Sequence, residues 1–309
     1  MERPPVPISR RERTGAIALE GPAMLSKTSL PRVFTIPTVA ILLVLSMVPT
    51  IFAVIIALQN RVLGQPAMDF VWLSNFIELF SDRRFLNAVW VSIKWEFVTV
   101  IATMTVAIVL GVLMFQYASP RMRNFYCLLF IVPVLLPRVS AAFVWKFAFH
   151  PLYGIVTYPI RALTGKPVDL LGNPNGALYV VAAVDVWQWG LLFAVIVLKL
   201  LETLPPQPLE AAQLDHARGW QIHYFITLPM LRAPLISLTF VKMIESLRSF
   251  DLIYVMTRGG PGVATETLDM YAFSQGFIEA GKVSYASSMA VLMMVATVVI
   301  FTILWKRVQ

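Results

Sequence analysis

Long unbroken apolar runs dominate this chain, in place of the short-period alternation that marks half-buried strands or surface helices. Two runs carry no charge. Residues 34–58 make 25 in a row, about 37 Å as a helix, and residues 285–305 make 21, about 31 Å. Either length crosses a hydrocarbon core of roughly 30 Å. Four further runs carry isolated charges: 88–115 with Lys94 and Glu96, 124–149 with Arg138 and Lys146, 177–201 with Asp185 and Lys199, and 235–257 with Lys242, Glu245, Arg248 and Asp251. Pro133 and Pro137 predict kinks in the third run. The pattern predicts an all-α membrane protein with six transmembrane helices.

Composition agrees. Of 309 residues, 58% are hydrophobic and 14% charged, against about 45–50% and about 25% in soluble domains. The net charge of +8 first suggests nucleic acid, but its placement fits membrane topology better. With the N-terminus in the cytoplasm, inner segments hold twelve Lys and Arg against seven outside, and both termini fall inside. The first run is too long for a cleavable signal peptide. The tail before it, 1–33, is rich in Pro, Arg and Ser and predicts disorder, and Met24 is an alternative start. The remainder, 34–309, reads as one transmembrane domain. One cysteine, Cys127, allows no internal disulfide. His150, His216 and His223 have no HExxH spacing, so no metal site is expected.

The connection 202–233, between the fourth and fifth runs, is far longer than the usual 4–6 residues or so. Its opening prolines, Pro205, Pro206 and Pro208, suit a helix start. Residues 209–218 are strong helix formers with Glu210 near the positive N-terminal end, and Gly219 is the natural terminator. A second helical stretch, 220–228, stops at Pro229. Small Ala211, Ala212 and Ala217 permit close approach to another surface. Two readings stand: a short cytoplasmic knob for a soluble partner, or an amphipathic helix or plain loop on the membrane surface.

Glu210-Ala211-Ala212-x-x-Asp215-x-Ala217, then Ile226-x-Leu228-Pro229 and Pro234, resembles the EAA loop of permease subunits in binding-protein-dependent ABC importers. Phe250-Asp251-Leu252-Ile253-Tyr254 running on to Arg258-Gly259-Gly260-Pro261-Gly262, then Thr265-Glu266-Thr267-Leu268, resembles the segment after span five in the sugar-importer branch, nearest the maltose- and glycerol-phosphate-type first permease. Trp187, Trp145 and Gly154 are weaker matches. The resemblance implies a coupling helix between spans four and five, a second permease, two separate ATPase subunits that use ATP and Mg, and an extracytoplasmic solute-binding protein. It places the chain in the inner membrane and implies a sugar-like solute. It assigns Glu210, Ala211, Ala212, Asp215, Ala217, Gly219, Leu228 and Pro229 to ATPase coupling, with Glu210 contacting a basic ATPase residue. Asp215 either holds the helix–turn–helix together or is a local cap. His216 stands where the family usually has glycine, so that either Gly219 takes over the turn or the helix runs on.

This chain is not expected to be an enzyme or to bind a cofactor, because no GxxxxGK[ST] is present and Thr164-Gly165-Lys166 lacks the upstream glycine. Charges within a span must face protein or water, since each costs about 2.5–3.5 kcal/mol at the bilayer centre. In span five, Glu245 lies three residues from Lys242 and from Arg248, and Arg248 three from Asp251, which suits helical pairing. Glu245 and Arg248 read as substrate-path residues or as pairs with the second permease, and Asp251 as structural. In span four, Asp185, Trp187, Gln188 and Trp189 offer hydrogen bonds and ring faces suited to a sugar. Tyr254 completes the candidate path. Arg138 pairs with an acid elsewhere or lines the cavity, while Lys94, Trp95 and Glu96 are expected to reach the interface. The alternative, an ion-coupled secondary transporter, calls for inverted repeats with broken helices in matching places, and no such symmetry is visible.

Overall fold

The structure, a computed structural model, describes residues 29–65 and 69–308. Of the predicted disordered tail, 1–33, the part up to residue 28 and the alternative start lie outside the described residues, while 29–33 are helical and not disordered. The chain divides into two compact units, Met1–Ile51 and Phe52–Gln309. Helix α1 (Ser29–Ala57) fills the described part of the first and runs on into the second. From residue 35 to 49 it is exposed on every side. An all-round apolar helix of this length suits lipid and not water.

After the two-residue antiparallel pairing of β1 (Gln59–Asn60) with β2 (Asp69–Phe70), the second unit is helical. In order come α2 (Ser74–Ser81), α3 (Arg83–Tyr117), α4 (Pro120–Leu135), α5 (Arg138–Ala148), α6 (Thr157–Thr164) and α7 (Ala177–Glu202). Then α8 (Gln207–Leu214), α9 (Gly219–Ile222), a π-helical turn (His223–Thr227), α10 (Leu228–Met230), α11 (Arg232–Ser246) and α12 (Phe250–Met256) follow. The chain closes with α13 (Leu268–Phe273), a second π-helical turn (Ser274–Glu279) and α14 (Val283–Val308).

Four helices are long and apolar enough to cross a membrane: Thr35–Ala57, Arg83–Tyr117, Ala177–Glu202 and Val283–Leu304. Two more candidates are bent pairs: α4 with α5 at 96°, and Gly219–Met230 with α11 at 76°. The described residues thus hold four to six candidate spans. Helices α3 and α7 form the central seam. Gly111 makes it possible, because a Cβ there would come within 2.7 Å of Val197 Cγ1, and Ala107 and Ala194 beside it are fully buried. Small residues at such a seam let backbones approach closely without a hydrophobic drive.

The predicted kink in the third run is a sharp corner. Pro137 holds Leu136 extended, at φ −75° and ψ 130°, so α4 ends and α5 starts afresh at Arg138. Gln188 of α7 donates from Nε2 to the carbonyls of Pro133 at 3.1 Å and Leu136 at 2.9 Å. The fifth run departs from expectation. It is not one helix, since α11 stops at Ser246 and α12 begins at Phe250. With 15 residues, α11 is about 22 Å long, short of a full crossing. Side chains from other helices take up the backbone here too. Gln188→Met removes both donors at the corner and is expected to lower stability by about 1–3 kcal/mol. Thermal unfolding in detergent checks this, and an unchanged midpoint would show that the corner holds without Gln188.

Candidate functional site

Three of the intramembrane helices bring their charges to one place. Arg138 opens α5, Asp185 lies mid-way along α7, and Lys242 and Glu245 sit one turn apart near the end of α11. Arg138 Nη2 pairs with Asp185 Oδ1, and its Nη1 with Glu245 Oε1 at 2.5 Å. Lys242 Nζ meets Asp185 Oδ2 at 2.6 Å and Glu245 Oε2 at 2.7 Å. Two cations and two carboxylates alternate around a closed ring whose formal charge sums to zero. Asp185 and Lys242 have no solvent exposure at all. Lys242 also lies 5.8 Å from the centre of the Trp189 ring, which favours a cation over its face.

The ring borders both helix breaks. Arg138 Nη1 donates to the carbonyl of Arg248 at 2.9 Å, inside the gap between α11 and α12. Trp95 Nε1, from α3, donates to the carbonyl of Ser246 at 3.0 Å. Ser246 Oγ lies 2.5 Å from Glu96 Oε2. One helix further out, Lys146 Nζ of α5 donates to the carbonyl of Val255, near the negative C-terminal end of α12, at 2.7 Å.

Several predicted roles look different against this geometry. Asp185 and Glu245 are held by Arg138 and Lys242, and the Gln188 amide nitrogen by the α4 corner. Glu245 pairs with Lys242 as the spacing suggested. Arg248 is exposed and makes no ion pair among the described residues, so the expected Glu245–Arg248 and Arg248–Asp251 pairs do not form; the break in the helix carries Arg248 away. Trp95, expected at the interface, is buried, half-buried Glu96 accepts from Ser246, and half-buried Lys94 lies 5.6 Å from the exposed Trp90 ring. Trp187 is half-buried, edge-on to Trp145 at 5.3 Å. Tyr254 stacks on Phe250 at 5.3 Å and meets Phe273 edge-on at 5.5 Å.

The GGPG–TETL segment folds into a clasp at the start of α3. Arg258, Gly259 and Gly262 take positive φ values of 53°, 85° and 59°. Thr265 Oγ1 binds the Gly260 carbonyl at 2.8 Å and the Thr257 hydroxyl at 2.7 Å. Arg84 forks onto Glu266 and Glu279, its shortest contact to each being 2.7 Å. Beside it, Asp82 accepts from the hydroxyls of Tyr271 and Tyr285 at 2.5 and 2.8 Å. Burial opposes charge on Asp82, yet these hydroxyls and the Arg84 N–H outweigh it and hold the carboxyl below its ordinary range.

Between α7 and α11 stands the long connection. Its helix α8 turns Ala212 inward and leaves Glu210, Ala211, Gln213, Leu214 and Asp215 exposed, Leu214 to 81%. Glu210 and Asp215 make no side-chain hydrogen bond or ion pair among the described residues, so Asp215 does not hold the turn together. The helix ends at Leu214, four residues before the predicted end. His216 itself adopts the left-handed conformation, φ 53°, that a glycine takes without penalty. Gly219 does not replace it. It opens α9 against α3, where a Cβ would lie 2.4 Å from Gln116 Nε2. Ala217 is half-buried and its N–H donates to the Ala212 carbonyl at 3.0 Å. Leu228 packs on the α3–α7–α11 core, and Pro229 is exposed at the start of α10.

The region from the seam onward, residues 107–309, matches the family described as "Binding-protein-dependent transport system inner membrane component". The chain belongs to this family. As an inner-membrane transport component it is similar to the trehalose/maltose transport system permease protein MalF of Thermococcus litoralis, 29% identical over 275 residues, 88% of this chain and 91% of that one. It is also similar to the sn-glycerol-3-phosphate transport system permease protein UgpA of Agrobacterium fabrum, 30% identical, covering 78% and 83%. Its fold matches a chain in the crystal structure of a bacterial ABC transporter involved in the import of alginate, with a TM-score of 0.78, 91% and 95% coverage and 19% identity. Membership leaves the secondary-transporter alternative without support. Among the described residues of this inner-membrane component, no three His, Cys, Asp or Glu side chains are grouped to hold a metal ion.

Lys242→Met would leave two buried carboxylates sharing one cation, a loss expected to cost about 3–5 kcal/mol. Adding Glu245→Gln restores neutrality and is expected to recover more than half of that loss in thermal unfolding. A double variant as unstable as the single one would show that the four charges do not act as a balanced unit.

Proposed function

We propose that this chain is the membrane-spanning permease of an ATP-driven ABC importer, forming half of a translocation path with a second permease. The observation that carries the reading is the exposed α8 knob, with Glu210 and Asp215 unpaired among the described residues, inside the region that matches the transport family. Two ATPase subunits would each seat a permease knob in a groove, this chain's by close approach at Ala211 and a charged contact at Glu210. ATP and Mg would be held by those subunits, and no cofactor by this chain. A solute-binding protein would deliver cargo from outside. With six spans and the Lys and Arg bias of the loops setting the N-terminus inside, α8 and both termini would lie in the cytoplasm.

The names of the relatives, trehalose/maltose and sn-glycerol-3-phosphate permeases, support a sugar or related polyhydroxylated solute. Among the candidate path residues, Trp187, Arg248 and Tyr254 keep groups that no hydrogen bond or ion pair among the described residues occupies. They are the ones proposed to touch solute. Asp185, Gln188 and Glu245 would act behind them by fixing the helix breaks that shape the path.

Glu210→Arg is expected to abolish solute uptake into vesicles and release the ATPase subunits on purification, while the permease stays in the membrane at its normal level. Uptake within twofold of the unsubstituted transporter would remove the proposed role of α8.

A further inference from the structure

The segment after α8 has a surface that the coupling role does not use. From Gly219 to Met230 it runs as α9, a π-helical turn and α10, and it meets α11 at 76°. One face is anchored: Ile222 and Thr227 are buried, His223 lies edge-on to Phe115 at 6.4 Å, and Gly219 is pressed against Gln116. The other face carries Trp220, Tyr224 and Phe225, exposed to 61%, 64% and 64%. Their rings touch, with Phe225 6.4 Å from Trp220 and 4.9 Å from Tyr224. Arg218 and Arg232 flank the segment, both exposed and without an ion pair among the described residues.

We propose that this aromatic face lies in the cytoplasmic headgroup layer of the bilayer, with Arg218 and Arg232 directed at lipid phosphates. The proposal rests on the membrane placement given above. A helix turned 76° from an adjoining span runs closer to the membrane plane than to its normal. Trp and Tyr prefer the depth where an apolar ring meets polar headgroups. Cations beside such a helix are attracted to the negative cytoplasmic leaflet. Ile236, Val241 and Ile244 of the adjoining α11 are exposed as well and would contact acyl chains. The two helical pieces of the connection then divide their work: α8 points to a soluble partner, and the aromatic segment fixes its mounting to the membrane surface.

The test is spin-label depth measurement on the complete transporter in nanodiscs containing anionic phospholipid. Labels replace Val241, Tyr224 and Leu214 in turn as cysteines, with the single native thiol removed by Cys127→Ser. Oxygen, which concentrates in acyl chains, is compared with a water-soluble nickel chelate. The expected order of the oxygen-to-nickel accessibility ratio is 241 above 224 above 214. A label at 224 as open to nickel as the one at 214, or shielded from both reagents by a protein partner, overturns the proposal while 241 still reads as acyl-embedded. If 241 itself reads as aqueous or shielded, the membrane placement fails and the proposal falls with it. Native tryptophan fluorescence supplies a second readout that avoids labelling. Brominated phospholipids should quench the unsubstituted protein more than Trp220→Phe, and equal quenching would count against the proposal.

Discussion

A helix that breaks inside hydrocarbon frees backbone carbonyls that water does not reach, and each must find a donor within the protein. Here α4 stops at Leu135, just before Pro137, and α11 stops at Ser246, and the donors come from distant helices. Gln188 serves Pro133 and Leu136, Trp95 serves Ser246, and Arg138 serves Arg248. A guanidinium used in this way brings a charge with it. Asp185 and Glu245 balance Arg138, and Lys242 balances them in turn. The four-charge ring is thus the consequence of two broken helices as much as their fastening.

This arrangement bears on how the chain would move. Separating one partner from a buried, hydrogen-bonded pair costs several kcal/mol, because the other is left uncompensated in a low-dielectric setting. Three such contacts link α5, α7 and α11, the fourth lies within α11, and Lys146 adds α12 by its bond to Val255. In the proposed transport cycle these helices would shift together as a body, with the displacement taken up elsewhere. The α8 knob follows α7 directly, and the aromatic segment precedes α11, so force on the knob would reach the ring from both sides. Outside the ring, the Arg84 fork onto Glu266 and Glu279 and the Tyr271–Asp82–Tyr285 triad tie α3 to α13 and α14.

Much of this was readable from residue order, and the exceptions share a cause. The helices α1, α3, α7 and α14 follow from run length alone, and the α4–α5 corner from Pro137. Helix α8 follows from its opening prolines and alanines. The break after Ser246 does not: 235–257 holds no Gly, and its one Pro-free apolar pattern reads as a continuous helix. What permits the break is donated by residues 95 and 138, more than a hundred positions away. For the same reason Trp95 and Glu96 read as interfacial when taken locally, although charges on four separate apolar runs were a sign that they would have to meet. Helical spacing gives Arg248 partners that the break removes. His216 shows a different limit. Its position in the motif marked a turn, but that the histidine itself would take the left-handed conformation depends on the helix ending at Leu214, one turn short of Arg218.

The most direct test of the ring as a fixed fastening is a high-resolution cryo-electron microscopy comparison of the complete transporter in nanodiscs, at rest and trapped with ATP. The account predicts that Lys242 Nζ stays within hydrogen-bond distance of Asp185 and Glu245 in both states, with Arg138 still bound to Asp185. A ring intact in one state and opened in the other, with Lys242 facing solvent or solute, would contradict it and make these charges moving parts of the path.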